Sequence, residues 1–372
     1  MTPSATVPPG KETVDKTIRG TLHRFLSDGV NYRDLMEIQS NIRDGRDWCQ
    51  SWMAAADIHE NIARKALSEG HLQTAGQALA RAALYSHFAQ GYYTYDRPAE
   101  RSKAEKRRQT LFREAAPLLT PPLEYVEIPF GKTRITAYLR LPVPTAAKSP
   151  CVVLLGGLDT TKEDALALTN VLVERGLATL AFDGPGQGAM YEEMGLVPDF
   201  EKAVFAIIDY LQERPEIDAA RIGVMGRTTG SHWALRSAAY DKRVRAVAAW
   251  GLIYDVRGLA NFPADVRDRF IRAAKLKSLE EAQDFYKGYN LDGHVRHIHC
   301  PIIVVQGGDD PLAAPGGLDR LIAEAPVPVE LLFFADSGHC CHDRGDIVKP
   351  AMADFLAKHL SAGQLRPGSR GS

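Results

Sequence analysis

The chain has 372 residues, 45% of them hydrophobic, with 45 basic and 46 acidic side chains and a formal net charge of −1. Such a length builds one large domain or two. The balanced charge, with no basic stripe, argues against a nucleic-acid partner, and no apolar run approaches the roughly 18 residues of a membrane-spanning helix.

From about residue 12 to 120 the pattern is all-helical. Apolar residues recur at helical spacing in Ile18-Leu22-Phe25-Leu26, Trp48-Trp52-Ala55-Ile58, Ala75-Leu79-Ala82-Ala83 and Leu111-Phe112-Ala115. Gly70 and the Asp96-Arg97-Pro98 stretch interrupt them. Tyr85, Phe88, Tyr92, Tyr93 and Tyr95 make one helix end aromatic. Such a stripe is more often a packing face; the alternative is that rings such as Tyr92 and Tyr93 line a substrate pocket as part of a cap. The basic run 101–108, RSKAEKRR, reads as a solvated helix face.

At Thr120-Pro121-Pro122 the texture changes, and from 121 to about 362 strands alternate with helices. That alternation predicts an α/β domain with a mostly parallel sheet flanked by helices. An opening hairpin is expected at 125–129 and 135–139 around Gly131. Buried strands follow at 151–155, 178–182 and 222–225, with helices at 162–175 and 200–211 between them. A strand at 244–250, a charged helical insertion at about 255–295, strands at 302–305 and 329–334 and a helix at 347–360 complete the domain.

The stretch 221–240, RIGVMGRTTGSHWALRSAAY, reads as strand, sharp turn and helix. This is the layout of a nucleophile elbow, G-x-S-x-G, with Thr228 where the pattern has serine. The two glycines are expected because strand and helix crowd the turn. Positive φ at the tip is costly for a β-branched residue, and its methyl limits the hydroxyl's rotamers. Thr228 is therefore either a hindered nucleophile or a hydrogen-bond donor.

Gly156-Gly157 leaves the first buried strand, where an oxyanion loop belongs; the backbone N–H groups of Leu158 and Thr229 are the candidate donors. The run 183–188, DGPGQG, contains a superficial G-x-G, but Pro185 and the missing helix start argue for a rigid turn shaping the floor of the site. Asp310 ends another strand and suits the triad acid, with Asp309 pointing away; His339, after the last strand, suits the general base. The order Thr228, Asp310, His339 is the α/β-hydrolase order, and each lies past the carboxyl end of an expected strand. The run Cys340-Cys341-His342 has no second ligand pair, and His294, His297 and His299 match no known ligand spacing and read as surface loop histidines. No metal and no cofactor are expected. Five scattered cysteines, an odd number, point to reduced thiols and a cytoplasmic protein, and the first residues lack the features of a signal peptide.

Together 154–163 (LLGGLDTTKE), FDGPGQG, the GRTTG elbow and 337–343 (SGHCCHD) resemble the group of α/β hydrolases that includes 2,6-dihydroxypseudooxynicotine hydrolase, the fungal pigment polyketide-shortening hydrolases and the proteins called esterase FrsA. The resemblance spans roughly residues 12–360. It implies an α/β-hydrolase domain (121–362) behind an N-terminal all-helical cap domain (12–120). It implies cleavage of a carbon–carbon bond beside a ketone in an aromatic or polyketide-like substrate of secondary metabolism, held between the two domains. The family's serine, aspartate and histidine fall on Thr228, Asp310 and His339. Some members also use a carboxylate after the strand that follows the elbow, for which Asp255 is the nearest candidate. Three readings stand at this point: a carbon–carbon or ester hydrolase with a Thr-His-Asp triad, a lyase, cyclase or isomerase using His339–Asp310 as base, and a catalytically silent binding protein. The expected partner is a small-molecule substrate, with no membrane and at most a second copy of the chain as a homodimer.

Overall fold

The structure, a computed structural model, describes residues 9–91, 93–94, 97–143 and 147–361. The chain divides into two compact units between Glu124 and Tyr125. Among the described residues no helix is long and apolar enough to cross a membrane.

The first unit is helical: α1 (Lys11–Asp28), α2 (Tyr32–Asn41), α3 (Trp48–Ser68), α4 (Leu72–Ala89) and α5 (Pro98–Ala115). Its core is aromatic. Phe25 packs edge-on to Phe88 at 4.7 Å, Trp52 lies 5.3 Å from Phe88, and Trp48 donates its indole N–H to the Phe88 carbonyl at 2.9 Å. Tyr85 and Phe88 are therefore packing residues. Tyr93 sets its ring 5.3 Å from Trp48 and its hydroxyl 2.6 Å from that of Thr17; Tyr92 and Tyr95 lie outside the described residues. Helix α2 has only ten residues and a mixed surface, but Asn31 caps it by accepting from the N–H groups of Arg33 and Asp34. The basic run on α5 is not wholly solvated. Its helical spacing turns Arg108 inward, where the side chain is fully buried and bound by Glu105 at 2.7 Å.

The second unit is built on an eight-stranded sheet in the order β1-β2-β4-β3-β5-β6-β7-β8. The strands are β1 (Leu123–Phe130), β2 (Thr133–Arg140), β3 (Ser149–Leu155), β4 (Ala178–Asp183), β5 (Ile217–Arg227), β6 (Val244–Trp250), β7 (Ile302–Gly307) and β8 (Val329–Phe334). β2 runs antiparallel to β4, and β3 to β8 are mutually parallel. Alternate residues of the central strands feed two cores. Val153, Leu155 and Val224 join one, with α7 (Glu201–Gln212) and α8 (Thr229–Tyr240). Val152, Leu154 and Met225 join the other, with α6 (Leu166–Val173) and α12 (Gly345–Leu360). Burial on both faces is why these strands read as unbroken apolar runs. The insertion after β6 holds α9 (Ala264–Ala273) and α10 (Leu279–Phe285), and α11 (Gly317–Glu324) joins β7 to β8.

Helix α6 is shorter than the 162–175 expected from the sequence. The preceding turn is held open because Lys162 gives its backbone N–H to Asp183 Oδ1 at 2.8 Å and its ammonium to Asp183 Oδ2 at 2.6 Å. β3 is flanked by β4 on one side and β5 on the other, with Leu155 beside Gly226. The loops leaving β3 and β5 therefore start side by side at the point where strand order reverses, the usual place for a site in an open α/β sheet.

Candidate active site

At the elbow, β5 ends at Arg227, α8 starts at Thr229, and Thr228 between them has φ 56° and ψ −124°. A β-branched residue held there costs of order 1–3 kcal/mol, so the surroundings must enforce it. They do so by close approach. A Cβ on Gly226 would lie 2.0 Å from the Gly230 carbonyl oxygen, and one on Gly230 would lie 2.1 Å from that of Leu155. The Thr228 N–H is tied to the Trp250 carbonyl at 2.8 Å.

The loop after β3 lies against this tip. A Cβ on Gly157 would fall 2.1 Å from Thr228 Oγ1 but 3.3 Å from Thr228 Cβ, so the hydroxyl is turned towards Gly157. Among the described residues neither the Leu158 N–H nor the Thr229 N–H is taken up by a hydrogen bond. Both remain available to an oxyanion.

Asp310 and His339 come together. His339 Nδ1 lies 2.8 Å from Asp310 Oδ2, which also accepts from Gln306 Nε2 at 3.0 Å, while Oδ1 accepts from the Leu312 N–H at 2.9 Å. Burial opposes the charge on Asp310, but His339 and these N–H donors outweigh it and keep its carboxyl below the ordinary range. Burial alone would push the His339 imidazole down; the neighbouring Cys340 sulfur and the Asp310 carboxylate outweigh that, and the net shift is well upward. Asp309 is exposed.

The third link is not made. His339 Nε2 is buried without a hydrogen-bond partner, and the Thr228 hydroxyl does not reach it. Catalytic hydrogen bonds are often loose in ligand-free enzymes and tighten with substrate. Asp255 has both oxygens occupied: Oδ2 by Arg257 at 2.7 Å and Arg320 at 2.9 Å, Oδ1 by the Arg257 N–H at 3.3 Å. Burial works against its charge, yet these bonds hold its carboxyl below the usual range. The two arginines also bind Asp292, at 2.7 and 2.9 Å. His294 sits between Arg236 and Tyr240, and His297 and His299 are exposed.

Two residues not singled out from the sequence hold the site together. Trp250 takes the Thr228 N–H on its carbonyl and gives its indole N–H to the Cys340 carbonyl, so one residue braces both the elbow and the histidine loop. Gln306 orients Asp310 and accepts the Leu252 N–H at 3.0 Å. Gln306 stands four positions before the acid at the end of a buried strand, a visible signal; Trp250 meets Cys340 across 90 positions and left none.

Comparison with known proteins agrees with this architecture. The model of the esterase FrsA-like family matches residues 28–271. The 2,6-dihydropseudooxynicotine hydrolase of Paenarthrobacter nicotinovorans is 33% identical over 345 residues, covering 92% of each chain. The hydrolase ORFZ of Pyricularia oryzae is 32% identical over 246 residues, 61% of this chain and 58% of that one. The crystal structure of the 2,6-dihydroxy-pseudo-oxynicotine hydrolase superposes with a TM-score of 0.86 at 32% identity, over 92% of this chain and 96% of the other. AbyA5, at 18% identity, shares the fold with a TM-score of 0.70 over 87% of this chain and 93% of its own. The fold and the placement of its loops define an α/β hydrolase. Within that class the chain belongs to the esterase FrsA-like family, and it is a hydrolase.

Proposed function

We propose that this hydrolase cleaves the carbon–carbon bond beside a ketone in an aromatic or polyketide-like small molecule, with His339 as general base. The observation that supports this most is the bond from His339 Nδ1 to the buried Asp310, which leaves Nε2 as the proton-accepting atom. The base takes the proton of the attacking hydroxyl. The carbonyl oxygen becomes negative against the N–H groups of Leu158 and Thr229. When the carbon–carbon bond breaks, its electron pair leaves with the departing carbanion, which takes a proton from the imidazolium. The ketone carbon ends as a carboxylic acid. A second carbonyl or an aromatic ring on the departing side lowers the barrier by delocalising the charge.

Two readings of Thr228 follow. As the nucleophile, Thr228 would form an acyl-enzyme that water then hydrolyses. The direction of its hydroxyl, towards Gly157 and away from a bond with His339, favours the second, in which water attacks and Thr228 donates a hydrogen bond. The test is turnover of 1-phenylbutane-1,3-dione and p-nitrophenyl butyrate by Thr228→Ala, Thr228→Ser and His339→Ala, with intact-mass detection of a fluorophosphonate adduct. A nucleophilic Thr228 is labelled, its alanine variant is dead and its serine variant keeps or gains activity. An active Thr228→Ala beside a dead His339→Ala selects water. Unchanged activity in His339→Ala removes the proposal.

A further inference from the structure

The stretch 183–188, at the end of β4 and beyond it, has no role in the mechanism above, yet residues 183–187 are all buried. Asp183 and Gln187 are 0% and 2% exposed. Both side chains reach across to the loop leaving β3. Gln187 Nε2 donates to the Gly156 carbonyl at 2.9 Å and to the Gly157 carbonyl at 2.6 Å. Its Oε1 accepts the Gly184 N–H at 3.1 Å, which fixes which end of the amide is the donor. The Gly157 carbonyl also accepts from Thr160, through Oγ1 at 3.1 Å and the backbone N–H at 3.4 Å. Asp183 grips the far end of the same loop through the N–H and ammonium of Lys162.

The consequence follows from the peptide plane. In a trans peptide the carbonyl oxygen and the next N–H point in opposite directions and cannot turn independently. Pulling the Gly157 oxygen onto Gln187 therefore turns the Leu158 N–H to the opposite side. Glycine at 157 leaves this peptide freer to turn than any other residue would, and of the bonds that hold its oxygen the one from Gln187 at 2.6 Å is the shortest, those from Thr160 being 3.1 and 3.4 Å. We propose that Gln187 is a positioning residue: its amide clamps the Gly156 and Gly157 carbonyls and so sets the direction of the Leu158 N–H as an oxyanion donor. This rests on the reading of Leu158 as a donor given above.

The test compares Gln187→Met, which has no donor, and Gln187→Glu, which keeps the shape and the acceptor but loses the donor, with wild type and His339→Ala. Turnover of p-nitrophenyl butyrate should fall roughly 10²-fold in kcat in both Gln187 variants, the loss expected of one oxyanion donor, with KM within about twofold. Inhibition by an aryl trifluoromethyl ketone, which carries the oxyanion as its hydrate or as a hemiketal with Thr228, should weaken in proportion to kcat/KM. A residue that only stabilised the fold would lower the melting temperature and the active fraction without this proportionality. A crystal structure of Gln187→Met supplies a readout independent of turnover, and the Gly157–Leu158 peptide should be rotated. An unrotated peptide overturns the proposal whatever the activity, and so does a rotated one with unchanged kcat per active site. Full activity in His339→Ala would instead remove the reaction assigned to the site and leave the peptide rotation to decide the clamp.

Discussion

Gly157→Ala tests how closely the loop after β3 is fitted to the elbow. The new methyl would stand 2.1 Å from Thr228 Oγ1, whereas its next contacts, Thr228 Cβ at 3.3 Å and the Arg227 carbonyl oxygen at 3.5 Å, are tolerable. About 1 Å must open between the methyl and the hydroxyl, because non-bonded carbon and oxygen rarely approach within about 3 Å. The hydroxyl can rotate, against the stiffness of a β-branched χ1, or the loop can shift. Overpacking of this kind costs about 1–3 kcal/mol, and a misplacement of about 1 Å at the reacting groups costs roughly 10²-fold in rate. The clash is with a single atom, so a cycle isolates it. In a Thr228→Ala background the 2.1 Å contact no longer exists, and Gly157→Ala should then cost under about 1 kcal/mol, giving a coupling of about 1–2 kcal/mol. Urea unfolding of the four proteins measures the coupling, and p-nitrophenyl butyrate turnover of wild type and Gly157→Ala measures the rate. Additive stabilities, within about 0.5 kcal/mol, would show that the hydroxyl is not where the structure puts it.

Two further predictions concern titrating groups. Asp310→Asn should reduce kcat by roughly 10⁴-fold, as expected when the base is left in the wrong tautomer. Since His339 must be neutral to act, activity should rise with pH through its raised pKa, and losing the Asp310 charge should move that limb to lower pH; an unmoved limb in the pH–rate profile counts against the pairing. His232, on α8, is buried, and burial with the charge of Arg236 pushes its pKa down to about 3. Between that value and about 6.5 the unfolded chain binds a proton that the native site refuses, so acid should cost stability, about 2 kcal/mol between pH 7 and pH 5. His339 has the opposite sign, but it is common to wild type and His232→Phe and cancels in their difference. Urea midpoints of the two proteins should therefore diverge as the pH changes, and parallel curves would refute the assignment.

Much of the catalytic unit was legible from local pattern. Buried parallel strands announce themselves as apolar runs because both faces are covered, and Thr228 and Asp310 follow such runs at the ends of β5 and β7, whereas His339 follows the edge strand β8, none of whose residues is buried. The elbow glycines were legible too, since strand, tip and helix that crowd one another are neighbours in the chain. Helix α2 was not read, being a ten-residue element with a polar cap whose buried stripe is only Leu35 and Ile38, and Arg108 was misread because a charge run does not reveal which member faces inward.

What the chain's order of residues determined by itself was the set of strands, the loops that follow them and the chemical types those loops present. Tertiary structure alone decided which of these groups touch. It brought His339 to Asp310 but turned the Thr228 hydroxyl towards Gly157, and it laid Gln187 on two carbonyls 30 and 31 positions away. The physical reason is that periodicity records which face of an element is buried. The direction of a hydroxyl or an amide is instead set by atoms of other loops, packed at contact distance, and nothing in the neighbouring sequence encodes them.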